Sequence, residues 1–171
     1  MPDATPEVIY EGKHVRLVRR GEWEYVTRKN VTGIVGIVAV TDEGKLLLVE
    51  QPRPPLNRNV IELPAGLAGD VAGQEGEELA NAARRELLEE TGYAGEISIV
   101  AHTWLSGASR TQRFCAVARG AESVSAPRNE PGEFCDVVLV SLAQFREHLR
   151  SGQLTDVDLG YLGLDHAGLV H

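Results

Sequence analysis

The chain is poor in cysteine and in aromatic residues, and it has no long apolar run. Its 171 residues include 2 cysteines, 2 tryptophans, 4 tyrosines and 3 phenylalanines. Cys115 and Cys135 are too few and too far from paired histidines to indicate a zinc site. Both lie in apolar, strand-like segments, so we expect buried free thiols. No apolar stretch approaches the roughly 20 residues that span a bilayer, so we expect no membrane association.

Basic residues are also scarce relative to acidic ones. Asp and Glu number 25 against 17 Lys and Arg, giving a net charge of −8. This balance argues against a broad nucleic-acid-binding surface, although a bound metal ion can still make a local site favourable for a phosphate substrate. The segment from Met1 to Thr5 lacks the basic and apolar regions of a secretory signal, so we expect a cytoplasmic protein. The length suits one domain, residues 1–171.

The order of apolar patterns predicts strands first and helices later. A nearly continuous apolar run from Ile34 to Val40 is typical of a strand buried on both faces, and a turn at 41–44 makes it half of a hairpin. The segment Glu77 to Thr91 is rich in good helix formers. Further strands are predicted near 8–10, 15–18, 23–26, 46–49, 60–63, 97–105, 113–118 and 135–140, a turn at 64–66, and helices over 142–150 and after 156. This order favours an α/β (α+β) fold with a mixed sheet.

The predicted helix 77–91 concentrates carboxylates on one side. Glu86, Glu89 and Glu90 fall within an arc of about 100°, where like charges repel. A solvated acidic face is the common explanation for such a cluster. Here the arc borders the apolar face that carries Leu87, so a divalent cation that relieves the repulsion is the stronger hypothesis. Oxygen donors favour Mg²⁺ or Mn²⁺ over zinc.

The same segment resembles the signature of the Nudix hydrolases, G-x5-E-x7-R-E-U-x-E-E-x-G-U, where U is a bulky apolar residue. The match runs from Glu77 through Arg85-Glu86-Leu87-Leu88-Glu89-Glu90-Thr91-Gly92-Tyr93. The opening glycine departs from the pattern, because position 71 is Val71 and the glycine that fits best is Gly66, 11 positions before Glu77. We interpret this difference as a five-residue insertion within 68–74.

The resemblance implies a Nudix-type αβα sandwich and a role for each residue of the signature. Glu86, Glu89 and Glu90 would be metal ligands, assisted by the Ala65 carbonyl, and they would activate the attacking water together with the metal. Glu77 would support the loop, as would the family glycine Gly66. Arg85, four residues before Glu89, would pair with that carboxylate and orient it.

Segments outside the signature resemble the ADP-ribose and nucleoside diphosphate sugar pyrophosphatase branch. They are Trp23-Glu24-Tyr25-Val26, Val49-Glu50-Gln51-Pro52-Arg53-Pro54-Pro55 and Ile61-Glu62-Leu63-Pro64-Ala65-Gly66. The resemblance implies a homodimer in which the N-terminal strands, residues 1–30, help to build the nucleoside pocket and residues 31–171 form the Nudix core.

The resemblance also suggests candidates for contacts with substrate. Trp23 or Tyr25 would stack on a base, although strand aromatics are more often part of a core. Arginine's forked donors suit phosphate and ribose, and Arg53 is the strongest candidate of its kind. Glu62 would accept hydrogen bonds from the substrate or cap the turn. Arg28, Arg58 and Arg110 are further candidates, with a solvated loop charge as the alternative for Arg58.

The chain departs from this branch at the position that would hold the catalytic base. Relatives carry a loop resembling Ser-Pro-Gly-x-x-x-Glu, and the position that aligns with its glutamate is Gln112, which cannot accept a proton at neutral pH. Glu130 and Glu133 are the nearest alternative carboxylates in sequence, and a plain surface loop is the other interpretation of that segment.

These observations predict Mg²⁺-dependent hydrolysis of ADP-ribose or a related nucleoside diphosphate sugar. The alternatives are hydrolysis of another diphosphate, such as a dinucleoside polyphosphate or a coenzyme, and a Nudix-fold sensor that binds a nucleotide without turning it over. Retention of Glu86, Glu89 and Glu90 favours the enzyme over the sensor.

Overall fold

A computed structural model describes residues 4–69, 76–128 and 135–170. Strands and helices follow one another broadly as predicted from sequence. The strands are β1 (Glu7–Glu11), β2 (Val15–Arg20), β3 (Trp23–Arg28), β4 (Gly33–Val40), β5 (Leu46–Arg53), β6 (Arg58–Glu62), β7 (Ala65–Ala68), β8 (Tyr93–Trp104), β9 (Gln112–Ser123) and β10 (Asp136–Val140). The helices are α1 (Leu79–Thr91), α2 (Leu142–Ser151) and α3 (Val157–Ala167), and Pro54–Leu56 forms a short 3₁₀ turn. None of the helices in these ranges is long and apolar enough to cross a membrane.

The strands form two sheets, of which the larger is mixed. Strands β1, β2 and β3 make an antiparallel sheet at the N-terminus. The larger sheet has the order β10-β5-β4-β9-β8, with β6 paired to β5 and β7 paired to β4. Its β4–β9 pair is parallel, which confirms the mixed sheet expected from sequence. The small sheet is tied to the large one through Val26, whose N–H donates to the Ala108 carbonyl over 2.9 Å.

Strand β4 is apolar along its length because it separates two cores. Val35 and Ile37 face the core under α1, whereas Val38 faces the core under α2 and α3. Alternation of side chains across a strand places successive residues on opposite faces. The two covered faces give the αβα sandwich.

The structure corrects one local prediction and refines others. Residues 64–66 were expected to form a turn, but β7 begins at Ala65 and pairs with β4, with Gly66 opposite Val35. Ala and Gly carry little strand preference of their own, so here pairing across the sheet overrides the local signal. Helix α1 begins at Leu79 instead of Glu77, and β8 and β9 are longer than predicted. The inserted segment lies largely outside the described residues.

The cysteine prediction is confirmed. Cys115 and Cys135 are both buried, and neither forms a disulfide within the described part of the chain. Burial raises the pKa of the Cys115 thiol to about 12, so this side chain packs as a neutral apolar group.

Gly163 allows α3 to approach β4 closely, and Gly163→Ala should destabilise the protein. A Cβ at this position would lie 2.3 Å from Val38 Cγ2. Overpacking of this kind costs about 1–3 kcal/mol, which urea unfolding would measure. Gly107 is the matched control, because a Cβ there meets nothing within 4 Å. Equal stability of the two variants would contradict close packing at Gly163.

Candidate active site

A cleft of about 890 Å³ opens between α1, the start of β7 and the segment that leads into α3. The cleft has two walls, and both carry charged side chains. The lining residues are Arg28, Ile34, Gln51, Arg53, Glu62, Ala65, Gly66, Leu67, Arg85, Glu86, Glu90, Leu105, Arg113, Thr155, Asp156, Val157 and Asp158.

The first wall is the carboxylate face of α1 packed against β7. Glu90 is buried, and its Oε2 accepts a hydrogen bond from the Ala65 N–H over 2.9 Å. The Glu86 carboxylate lies against Gly66, where a Cβ would come within 1.9 Å of the carboxyl carbon. A Cβ at position 66 would therefore collide with the Glu86 carboxylate, which occupies the space that a side chain would need.

Arg85 holds this wall together. Its Nη1 donates to Glu86 over 2.8 Å and to Glu89 over 3.2 Å, and its Nη2 donates to the Leu67 carbonyl over 2.9 Å. Glu77 accepts from Arg85 Nε over 3.3 Å, and this hydrogen bond lowers the pKa of Glu77. Burial opposes the charge of Arg85, but the bond to Glu77 and the charge of Glu86 prevail and raise the Arg85 pKa. The predicted pairing of Arg85 with Glu89 is thus present.

The donor types of the first wall suit a hard divalent cation. Its donors are oxygens, which Mg²⁺ and Mn²⁺ prefer. Glu86 and Glu90 line the cleft, while the Glu89 side chain is 42% exposed and is not one of the lining residues. Within ranges 4–69, 76–128 and 135–170, no three acidic, His or Cys side chains converge closely enough to hold an ion. Arg85 and the Ala65 N–H engage carboxylate oxygens instead, which limits the repulsion between the glutamates.

The second wall is organised around the buried carboxylate of Glu62. Its Oε2 accepts from Gln51 Nε2 over 2.8 Å and from Arg53 Nε over 2.8 Å, and Arg53 Nη2 also donates to it. Its Oε1 accepts from the Thr155 hydroxyl over 2.8 Å. Burial disfavours the charge of Arg53, but the hydrogen bond to Glu62 together with the charges of Glu62, Glu90 and Asp156 raises the pKa of Arg53. Arg53 therefore faces the cleft as a fixed cation.

Arg113 and two aspartates complete the second wall, and the sequence analysis did not identify them. Arg113 Nη1 donates to Asp156 Oδ1 over 3.0 Å, and its Nη2 donates to Asp158. The Arg113 side chain is 10% exposed, and its buried Nε has no hydrogen-bond partner among the described residues. The one available sequence signal was an arginine at the start of an otherwise apolar strand, Phe114 to Ala118.

The remaining predicted residues are divided between the cleft and other places. Arg28 lines the cleft. Trp23 is 73% exposed in the N-terminal sheet, and neither it nor Arg110 lines the cleft of this chain. The Arg110 N–H donates to the Val26 carbonyl over 3.1 Å, so its backbone anchors the small sheet. Gln112 begins β9. Glu130 and Glu133 lie outside the described residues.

Comparison with known proteins places the chain in a family. The family model described as NUDIX domain matches residues 31–157. Over 64 residues the chain is 48% identical to the ADP-ribose pyrophosphatase of Bacillus subtilis (strain 168), an alignment covering 37% of this chain and 32% of that protein. Over 146 residues it is 30% identical to the Methanol dehydrogenase activator of Bacillus methanolicus, covering 79% of this chain and 74% of that protein.

The fold agrees with this assignment. A solved structure described as ADP compounds hydrolase superposes with a TM-score of 0.71 at 17% sequence identity, covering 97% of this chain and 95% of the other. At that identity the likeness shows the fold. Because the domain model matches well over half of the chain and the architecture is shared, the chain belongs to the NUDIX domain family.

Proposed function

We propose that the protein hydrolyses the diphosphate of ADP-ribose or a related nucleoside diphosphate sugar, giving a nucleoside monophosphate and a sugar phosphate. The observation that carries this proposal is a single cleft with glutamates on one wall and Arg53 on the other. A diphosphate needs both, since its oxygens bind metal ions and forked arginine donors alike. Members of the family generally use a divalent metal, and we propose Mg²⁺, with Mn²⁺ as a substitute.

Each residue of the first wall has a defined task in this proposal. Glu86, Glu89 and Glu90 would hold the cation with help from the Ala65 carbonyl. When bound, the cation supplies charge neutralisation and lowers the pKa of water. Arg85 keeps Glu86 and Glu89 aligned, while Glu77 fixes Arg85 and accepts from the Gly69 N–H over 3.4 Å.

The candidates for accepting the proton and for contacting the substrate stay those predicted from the sequence. Glu89, Glu86, Glu130 and Glu133 stay the candidates for accepting the proton of the attacking water. Arg53 and Arg28 would bind the diphosphate. The stacking role of Trp23 and the phosphate contact of Arg110 stay predictions that need a second subunit or a different approach of the substrate.

The size of the cleft and the similarity to a protein named as a pyrophosphatase support the substrate class. A volume of about 890 Å³ lies within the range of small-molecule sites. A stretch of 64 residues is 48% identical to a protein named ADP-ribose pyrophosphatase, of which the alignment covers 32%. We therefore expect ADP-ribose to be turned over faster than a dinucleoside polyphosphate or coenzyme A.

The test is product release from a panel of diphosphates with and without Mg²⁺. The panel holds ADP-ribose, nucleotide sugars, NADH, a dinucleoside polyphosphate and coenzyme A, with products separated by chromatography. We expect AMP from ADP-ribose only when metal is present. Faster turnover of another panel member would assign the protein to a different substrate class. Turnover without metal would contradict the proposed chemistry.

A second candidate is a nucleotide-binding activator without turnover. The observation in its favour is the similarity over 146 residues to a protein named Methanol dehydrogenase activator. The panel separates the two, because tight binding of one compound with no product would select the activator.

We also propose that the protein is a cytoplasmic homodimer. The N-terminal sheet leaves Val8, Ile9, Tyr10 and Trp23 between 42% and 73% exposed, and a partner subunit that covered them would bury this apolar surface. Light scattering should give twice the 18.6 kDa chain mass. A monomer at micromolar concentration would contradict the dimer.

A further inference from the structure

We propose that Arg113 is a positioning residue for substrate binding, acting on Arg53 through the segment 154–158. This inference rests on the proposed function, because it assumes that Arg53 binds the diphosphate. It assigns a role in the active site to the chain that follows α2, which carries none of the signature residues.

Arg113 holds the start of α3 through two ion pairs. Its two terminal nitrogens donate to Asp156 and Asp158, which flank the first helical residue, Val157. The Arg113 and Asp156 side chains are 10% and 22% exposed, so this ion pair is largely shielded from solvent, whereas the Asp158 side chain is 45% exposed. Shielded, hydrogen-bonded pairs are far more costly to break than exposed ones.

These ion pairs fix the position of Thr155, which lies next to Asp156 in the chain. Asp156 follows Thr155 directly, and Leu154 precedes it as a buried residue that bridges to Ile61, next to Glu62. Thr155 is thus fixed from both sides. Its hydroxyl donates to Glu62 Oε1 over 2.8 Å and lies 3.3 Å from Asp156 Oδ2.

Glu62 in turn orients Arg53. With Oε1 bound by Thr155, Glu62 presents Oε2 to Gln51 and to two nitrogens of Arg53. The third guanidinium nitrogen of Arg53, Nη1, has no hydrogen-bond partner within the described part of the chain. Arg53 is therefore held in one orientation with a donor available for a phosphate oxygen.

Loss of the Arg113 charge would also alter the electrostatics of this wall. Asp156 is largely buried, and burial raises the pKa of its carboxyl while the Arg113 charge lowers it. Without Arg113, the Asp156 carboxylate would lose its hydrogen-bonded counter-charge and would attract the Arg53 guanidinium away from the phosphate site. Both effects weaken ground-state binding, so they should appear in KM and leave kcat little changed.

The experiment is a double-mutant cycle between Arg113→Met and Arg53→Met. Met keeps much of the apolar stem and removes the charge. Each single variant should raise KM for ADP-ribose by about tenfold, the effect of losing one charge-assisted hydrogen bond. If Arg113 acts through Arg53, the double variant should be no worse than Arg53→Met alone. Independent, multiplying effects of the two changes would overturn the proposal.

Matched variants separate positioning from a general loss of stability. Arg119→Met removes a second β9–α3 link, in which Arg119 Nη2 donates to the His166 carbonyl over 2.8 Å at the far end of α3. It should leave KM unchanged even if it lowers the melting temperature. Arg113→Lys should recover part of the lost affinity. An equal rise in KM for Arg119→Met would show that loosening α3 is sufficient and overturn a specific role for Arg113.

A Thr155→Val variant and a binding measurement complete the experiment. Thr155→Val removes the hydroxyl that binds Glu62 and should raise KM several-fold, so the link is testable even if Arg113→Met fails to fold; an unchanged KM would overturn it. The cycle is also measured in the Kd for ADP-ribose without metal. Binding of ADP-ribose without turnover when Mg²⁺ is supplied would refute the proposed function, while the Kd cycle would still decide the role of Arg113. Absence of ADP-ribose binding both with and without Mg²⁺ would refute both.

Discussion

Glu90→Gln should lower kcat for ADP-ribose hydrolysis by roughly a thousandfold while the protein stays folded. Gln keeps the shape of Glu90, and its carbonyl oxygen can still accept the hydrogen bond from the Ala65 N–H. The substitution removes a negative charge from the wall that would hold the cation. A bound cation supplies several kcal/mol of transition-state stabilisation, and about 1.4 kcal/mol corresponds to tenfold in rate.

The matched control for this prediction is Glu78→Gln. Glu78 is the exposed N-cap residue of the same helix, and its side chain makes no capping hydrogen bond. It should keep wild-type kcat. Initial rates at saturating Mg²⁺ and Mn²⁺ binding by calorimetry measure both variants. Wild-type activity in Glu90→Gln would contradict the metal role of the α1 carboxylates.

Gly66→Ala should abolish most activity with little loss of stability. The added Cβ would lie 1.9 Å from the Glu86 carboxyl carbon, so the carboxylate must move away. The group that yields is the end of a flexible side chain, so the free energy of unfolding should change by less than about 1 kcal/mol. Metal affinity should fall by about 10- to 100-fold, the usual result when a ligand loses its orientation.

A comparison with Glu86→Gln shows whether this effect passes through Glu86. If Gly66→Ala acts by displacing that carboxylate, adding it to Glu86→Gln should lower kcat/KM little further. Thermal unfolding checks that both proteins are folded. Unchanged metal affinity in a folded Gly66→Ala protein would contradict the arrangement of the first wall.

The first wall was predictable from sequence because most of its contacts are local. Glu86, Glu89 and Glu90 share one helix, and the period of 3.6 residues per turn places them together. The pairing of Arg85 with Glu89, four residues on, follows from the same geometry. Gly66 was found through its place in the family signature, although its close approach to Glu86 was not foreseen.

The second wall was not predictable, because its contacts join distant parts of the chain. Arg113 meets Asp156 across 43 residues, and Thr155 meets Glu62 across 93. No periodicity within one element reports such a pairing. Strand β7 was missed for a similar reason, since only its partner β4 makes a strand of Ala65–Ala68.

The most direct test of the central claim is hydrolysis of ADP-ribose in ¹⁸O-labelled water, with Mg²⁺ and without it, analysed by mass spectrometry. We predict one ¹⁸O atom in either the AMP or the ribose phosphate product, because water attacks one phosphorus of the diphosphate. We also predict no product in the metal-free sample. Binding of ADP-ribose with no labelled product in the presence of Mg²⁺ would contradict the hydrolase and leave the nucleotide-binding activator.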